Sequence, residues 1–497
     1  MFRACIAAIV TAMVVGPAGV TAAEVRTATH SGQPDGLVVP EGVGGELMHS
    51  MAWVIAKGAA GERIGRTTGL AVAPDLLLVP LQAVVLADSL AARAACCDER
   101  PATGIIAFDA VAGLALVRVP ELESAVWNQI AAVPDPLPEM VNLYWRPALE
   151  IEGNVMLASG RHGLLASLVG VGRGARLRID HDVTMGVGDV ITTDEGAIYA
   201  LTTEWAGNDR VFAVPVADFL AEHLPIDRAA AFAPSELMDR VQGDTQRSAL
   251  LTIRAQAMRA TSPPPDLVPM LRDAVERAPD NAGAWYLLGV KLDESGSLTE
   301  GRESLERAVE LEPGWSEPWY SLGLVQLKSD DPVAAEQSFR ASLRLDDTHP
   351  DCQAMLGVAL LMQGNPEAAL GPMERACELE PERMQFVTNY AIALERAGGE
   401  SQIHKAWTRY VEAVPSDRRA HNSYLSALFA ADEYELLEAQ AQRGLEQFGE
   451  HDMDLALQAI AGLSLGRDMD EMRALLERAL ELNPRNDIAR SVLDSLP

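Results

Sequence analysis

The sequence predicts a multidomain protein, an all-β part followed by an all-α solenoid of paired helices. Three observations predict it. Gly289, Gly323 and Gly357 recur at the roughly 34-residue step of a helix–turn–helix repeat. Pro279, Pro313, Pro381 and Pro415 mark the same step, with Asp347 in one proline place and Pro484 two steps on. Before them, short apolar runs alternate with turn residues, the pattern of many short strands.

The chain opens with Met1 to Ala23, where Arg3 precedes an apolar run from Ala4 to Val15. Gly16-Pro17 breaks that run, and Thr21-Ala22-Ala23 offers small residues for cleavage, so 1–23 reads as a signal peptide. The apolar run is shorter than a bilayer span, and an exported, periplasmic or secreted protein is expected without stable membrane insertion. Residues 24–44, rich in Gly, Pro and Thr, read as a flexible lead-in.

Residues 45–224 hold the strand-like runs, among them Met51–Ile55, Gly69–Ala73, Leu76–Val79, Gly104–Phe108, Leu114–Val119, Ile198–Thr202 and Val211–Val214. Such spacing suggests a sandwich or a pair of barrels. Residues 225–247 form a connector, with one short helix expected over Pro234 to Gln242. From 248 to 497 the period is helical: Trp285, Leu288, Gly289 and Leu292 share one face at i, i+3, i+4 and i+7. About seven repeats fit, closed by a capping helix from Asp487 to Ser495.

The motifs Trp285-Leu288-Gly289 with Ala308 and Pro313, and Trp319-Leu322-Gly323 with Ala335 and Phe339, resemble the tetratricopeptide repeat (TPR). That resemblance implies a protein or peptide partner held in a groove lined by the first helix of each repeat. Here the groove residues are Tyr286, Tyr320, Leu324, Val358, Leu361, Met362, Arg396 and Asn422. The family's best-known peptide readers clamp a carboxylate with Lys, Asn and Arg. This set lacks that clamp and is apolar in its middle.

Four segments of the β part resemble an HtrA/Deg-type trypsin-like serine protease. They are Gly65 to Val85, Asp109 to Val119, Met185 to Thr203 and Val211 to Leu220. The resemblance implies a trypsin-like double β-barrel and a Ser-His-Asp triad. Matched residue by residue, the histidine place holds Ala83, the aspartate place Gly113, and the serine place Val187 or Gly188. None of these supplies a base, an orienting carboxylate or a nucleophile, so a catalytically inactive pseudoprotease is expected. Two further readings stay open: hydrolysis through other residues, and an envelope assembly scaffold that uses the TPR array alone.

The remaining residues add limits. Net charge is −31, and from Ser248 onward about 42 acidic and 23 basic residues leave the balance acidic, which disfavours nucleic acid as partner. Asp180-His181-Asp182 is the densest polar cluster, but neighbours on a strand point to opposite faces, so no metal is expected. Cys96, Cys97, Cys352 and Cys377 form no zinc pattern, and no cofactor is implied. Cys352 and Cys377 fall at the same end of one helix pair, where an oxidising compartment would allow a bond between them.

Overall fold

The computed structural model describes residues 50–94, 99–122, 126–127, 129–132, 140–145, 150–151, 154–155, 158–163, 167–169, 176–180, 190–192, 197–205, 210–224, 231–259 and 266–496. The described residues divide into two compact units, one ending at Trp315 and the other beginning at Ser316.

The first unit begins with β1 (Met51–Lys57), β2 (Arg63–Ala73), β3 (Leu76–Pro80), β4 (Ser89–Ala94), β5 (Arg100–Pro101), β6 (Gly104–Asp109) and β7 (Leu114–Arg118). They form one curled antiparallel sheet in the order β5-β4-β1-β2-β3-β7-β6, a half-barrel. A second seven-stranded sheet has the order β11-β8-β14-β15-β16-β13-β12. Its strands are β8 (Met140–Trp145), β11 (Ala158–Gly163), β12 (Ser167–Val169), β13 (Arg176–Asp180), β14 (Val190–Thr192), β15 (Ile198–Trp205) and β16 (Arg210–Pro215). The short strands β9 (Glu150–Ile151) and β10 (Asn154–Val155) pair with each other.

The burial pattern explains why β3 is an unbroken apolar run. Strand side chains alternate between faces, and both faces of the first sheet are covered. Leu77 and Val79 join a core with Val54, Ala92 and Val117. Leu76 and Leu78 join another with Leu70, Val190, Ile198 and Leu201, which brings the second sheet against the first. A strand buried on both sides has no polar face.

Helix α1 (Ala217–His223) follows β16 and places Phe219 and Leu220 in that second core. The connector holds a 3₁₀ turn Pro234–Glu236 and a four-residue helix Leu237–Arg240, so the single helix expected over Pro234 to Gln242 is broken in two. From there to the C-terminus the chain is all helical, and the helices form antiparallel pairs in each unit. The first unit holds α2 (Asp244–Arg259) with α3 (Val268–Arg277), and α4 (Ala282–Glu294) with α5 (Leu298–Leu311). The second holds α6 (Ser316–Lys328) with α7 (Pro332–Leu345), α8 (Pro350–Met362) with α9 (Pro366–Leu379), and α10 (Met384–Arg396) with α11 (Ile403–Ala413). It ends with α12 (Arg418–Ala430) and α13 (Tyr434–Phe448), α14 (Asp452–Ser464) and α15 (Met469–Leu482), and the last helix α16 (Asp487–Ser495).

The repeated glycines are where the helices of a pair approach most closely. A Cβ built on Gly289 would stand 2.6 Å from Leu305 Cγ and 3.0 Å from the Gly301 carbonyl oxygen. On Gly323 it would meet the Phe339 ring at 2.5 Å, and on Gly357 the Met373 Cγ at 2.4 Å. Leu305, Phe339 and Met373 are fully buried, so the larger partner fills the space that the missing Cβ leaves. Helix starts are capped locally. Asn281 accepts the Ala284 N–H at 3.0 Å, and Asp331 accepts that of Ala334 at 3.1 Å.

Candidate functional site

Two places carry the residues singled out by sequence. In the first unit, Ala83 ends the 3₁₀ turn Leu81–Ala83 after β3, and Gly113 closes the turn between β6 and β7. Some thirty positions apart in sequence, the two turns touch: the Leu81 N–H donates to the Gly113 carbonyl at 2.8 Å. Gly113 has φ +70°, a conformation that strains other residues, and a Cβ added there would meet nothing within 4 Å. Ala83 is half-buried against the first core. Val187 and Gly188 lie outside the described residues, as do His49, His181, Cys96 and Cys97. Among the described residues no group of His, Cys, Asp and Glu is placed to hold a metal ion.

In the second unit, Tyr320 and Leu324 of α6, Met362 of α8 and Asn422 of α12 are half-buried, and Arg396 at the end of α10 is exposed. Tyr320 packs its ring 4.6 Å from that of His349. Tyr286 is half-buried in the first unit, 4.8 Å from the Trp315 ring. Two members of the expected groove are corrected. Val358 is 3% exposed and Leu361 7%, both inside a core with Met355, Leu327 and Met373. Helix α8 is buried nearly all round, so its apolar residues serve packing between pairs and offer no open surface.

The bond that an oxidising compartment would allow between Cys352 and Cys377 is not formed: both are free thiols. The reason is direction. Cys352 faces the preceding pair, its Sγ 3.5 Å from the Phe339 carbonyl, whereas Cys377 joins a core with Phe386, Val387 and Tyr410 of the following pair. Burial pushes each thiol up to about 12. Thiols so placed are inert at neutral pH.

Sequence reasoning missed Asn389. It sits in α10, 1% exposed, with its Oδ1 accepting from Gln385 Nε2 at 3.1 Å. Its Nδ2 has no hydrogen-bond partner among the described residues. The Asn422 Oδ1 of the next pair is likewise without one. A buried donor left unpaired costs about 1–3 kcal/mol. The available signal was the polar pair Gln385 and Asn389, one turn apart in α10.

Fold and site together define a repeat protein of antiparallel helix pairs carrying a β-sheet region. The tetratricopeptide repeat model matches residues 268–318 and 320–383, so the helix pairs within those spans are tetratricopeptide repeats. No curated protein matches the chain. Among solved structures, MamA 41-end from Desulfovibrio magneticus RS-1 aligns at 19% identity over 36% of this chain and 99% of its own, with TM-score 0.32. YrrB, described as a TPR protein with an unusual peptide-binding site, aligns at 16% identity over 45% and 97%, with TM-score 0.28. The Rv3671c protease from M. tuberculosis in its active form aligns at 17% identity over 41% and 89%, with TM-score 0.31.

Proposed function

We propose that this is an exported interaction scaffold. Its repeats hold an extended protein segment, and its β region is a trypsin-like domain that has lost catalysis. The observation that carries the first part is that the first helices of successive pairs keep half-buried residues on them: Tyr320 and Leu324 of α6, Met362 of α8 and Asn422 of α12. Tyr320, Leu324 and Met362 add half-buried apolar surface for alternate side chains of such a segment.

Support for the second part lies in the contact of the two turns. A triad needs its histidine and aspartate close together, and the turns that carry the matched places Ala83 and Gly113 are joined by the Leu81 to Gly113 hydrogen bond. Both lack the functional group, so proton transfer and its orientation are lost together.

The binding reading is tested by capture of a partner from the periplasmic fraction of the native host. Leu324→Glu with Met362→Glu should abolish capture while far-UV circular dichroism stays unchanged. Capture at the level of the unmodified chain would remove the groove from consideration. For the β region, no serine should label with a fluorophosphonate probe and unfolded casein should stay intact. Labelling that tracks casein cleavage would establish an active hydrolase instead.

A further inference from the structure

Helix α2 belongs to two cores at once. Its Leu250 and Ile253, at i and i+3, are buried with Val54 and Leu77 of the first sheet and with Val84, which follows the turn Leu81–Ala83. Its Leu251 and Ala255, at i and i+4, are buried with Leu271, Ala274 and Leu288 of the next helices. One rigid element therefore fills a gap on each side.

Polar links run through the same helix. The Ala110 N–H donates to Gln246 Oε1 at 2.7 Å, and Gln246 Nε2 donates to Asp109 Oδ1 at 2.8 Å. Asp109 is buried and holds the turn from inside, accepting the Val111 and Ala112 amides at 2.9 and 3.1 Å. The turn that carries Gly113 is thus gripped by its own aspartate and by α2. The helix also lies against the turn Leu81–Ala83. Two residues after Gln246, Ser248 donates to the Ala274 carbonyl at 2.7 Å and accepts from Asn281 Nδ2 at 2.9 Å. Asn281 is the residue that caps α4.

The chain leading into α2 is tied to the sheet as well. Phe232 and Ile105 exchange backbone hydrogen bonds at 2.8 and 2.9 Å beyond the edge strand β6. Next to them Gly104, with φ +136°, leaves a gap where a Cβ would stand 2.2 Å from the Phe232 carbonyl oxygen. No other residue fits there.

We propose that α2 is a coupling element that makes the first sheet and the first two helix pairs one cooperative body. A change in the first helix pair is then felt at the turns Leu81–Ala83 and 109–113. The β region is not a detachable module joined to the repeats by a linker. Coupling of this kind travels through a rigid element with packed partners on both sides.

The test is native-state hydrogen exchange on the full chain. Leu271→Ala removes a fully buried side chain that packs among the helices and has no place in the sheet cores. The slowest amides of β6 and β7 should accelerate roughly hundredfold, by the same factor as those of α2. Acceleration confined to α2, α3 and α4, with the strand amides unchanged, would overturn the proposal. Should Leu271→Ala fail to fold, Val275→Ala makes the same comparison with an effect of about tenfold. No ligand enters the measurement, so its outcome is separate from that of the peptide-capture experiment.

Discussion

Helix α4 offers a controlled test of what its glycines do. Gly283 and Gly289 lie in the same helix, and Gly→Ala gains up to about 1 kcal/mol from helix propensity alone. At Gly283 the new Cβ meets Asn281 Oδ1 at 3.4 Å and Thr252 Cγ2 at 3.7 Å, ordinary contacts. Gly283→Ala should therefore be neutral or stabilising by up to about 1 kcal/mol. At Gly289 the Cβ meets Leu305 Cγ at 2.6 Å and the Gly301 carbonyl at 3.0 Å. Leu305 is fully buried and the carbonyl belongs to a helix, so neither can retreat without moving α5. Overpacking of this kind costs about 1–3 kcal/mol, which leaves Gly289→Ala destabilising by up to about 2 kcal/mol after the propensity gain. Guanidinium titration followed by tryptophan fluorescence, with Trp285 in the same helix, reads both variants. The clash has a second signature. Leu305→Ala should cost about 2–5 kcal/mol in the unmodified chain and less in the Gly289→Ala background, because the alanine methyl occupies part of the cavity. Equal stabilisation by the two glycine substitutions, or strict additivity with Leu305→Ala, would refute the close-approach account of the period.

Other expectations are more compact. Cys352 and Cys377 should resist iodoacetamide in the folded chain at pH 7 to 9 and react after denaturation. Folding raises both thiols to about 12, so each stays protonated until the pH nears that value. A rapidly alkylated native thiol, or an intact bond between the two by mass spectrometry, would contradict the packing described. Asp454 is fully buried, paired with Arg418 and held by His421 Nε2 at 3.1 Å, while the Arg418 side chain stays 24% exposed, so Asp454→Ala should destabilise the chain by about 1–3 kcal/mol. A loss below about 1 kcal/mol, the size typical of an exposed pair, would show that the cluster is hydrated. For export, N-terminal sequencing from the native host should begin near Glu24; a start at Met1 in the membrane fraction would reject cleavage.

The sequence by itself determined the helical repeats. A glycine every 34 or so residues facing Leu305, Phe339 or Met373 is a requirement of two helices in close approach, and that requirement is local to one pair. It also determined the strands, since β3 is apolar throughout and too short for a helix. What covers each face was beyond it. A periodic pattern marks the apolar side of a helix but carries no record of the neighbour, so Val358 and Leu361 read as groove residues although α8 is enclosed. The same limit applies to Cys352 and Cys377, which share a pair yet face opposite neighbours. The polar pair Gln385 and Asn389 is plain in the sequence, but the burial of Asn389 Nδ2 is not. Gln246 contacts a turn 136 positions earlier in the chain. Such contacts join residues far apart in sequence, and only the closed tertiary structure brings them together.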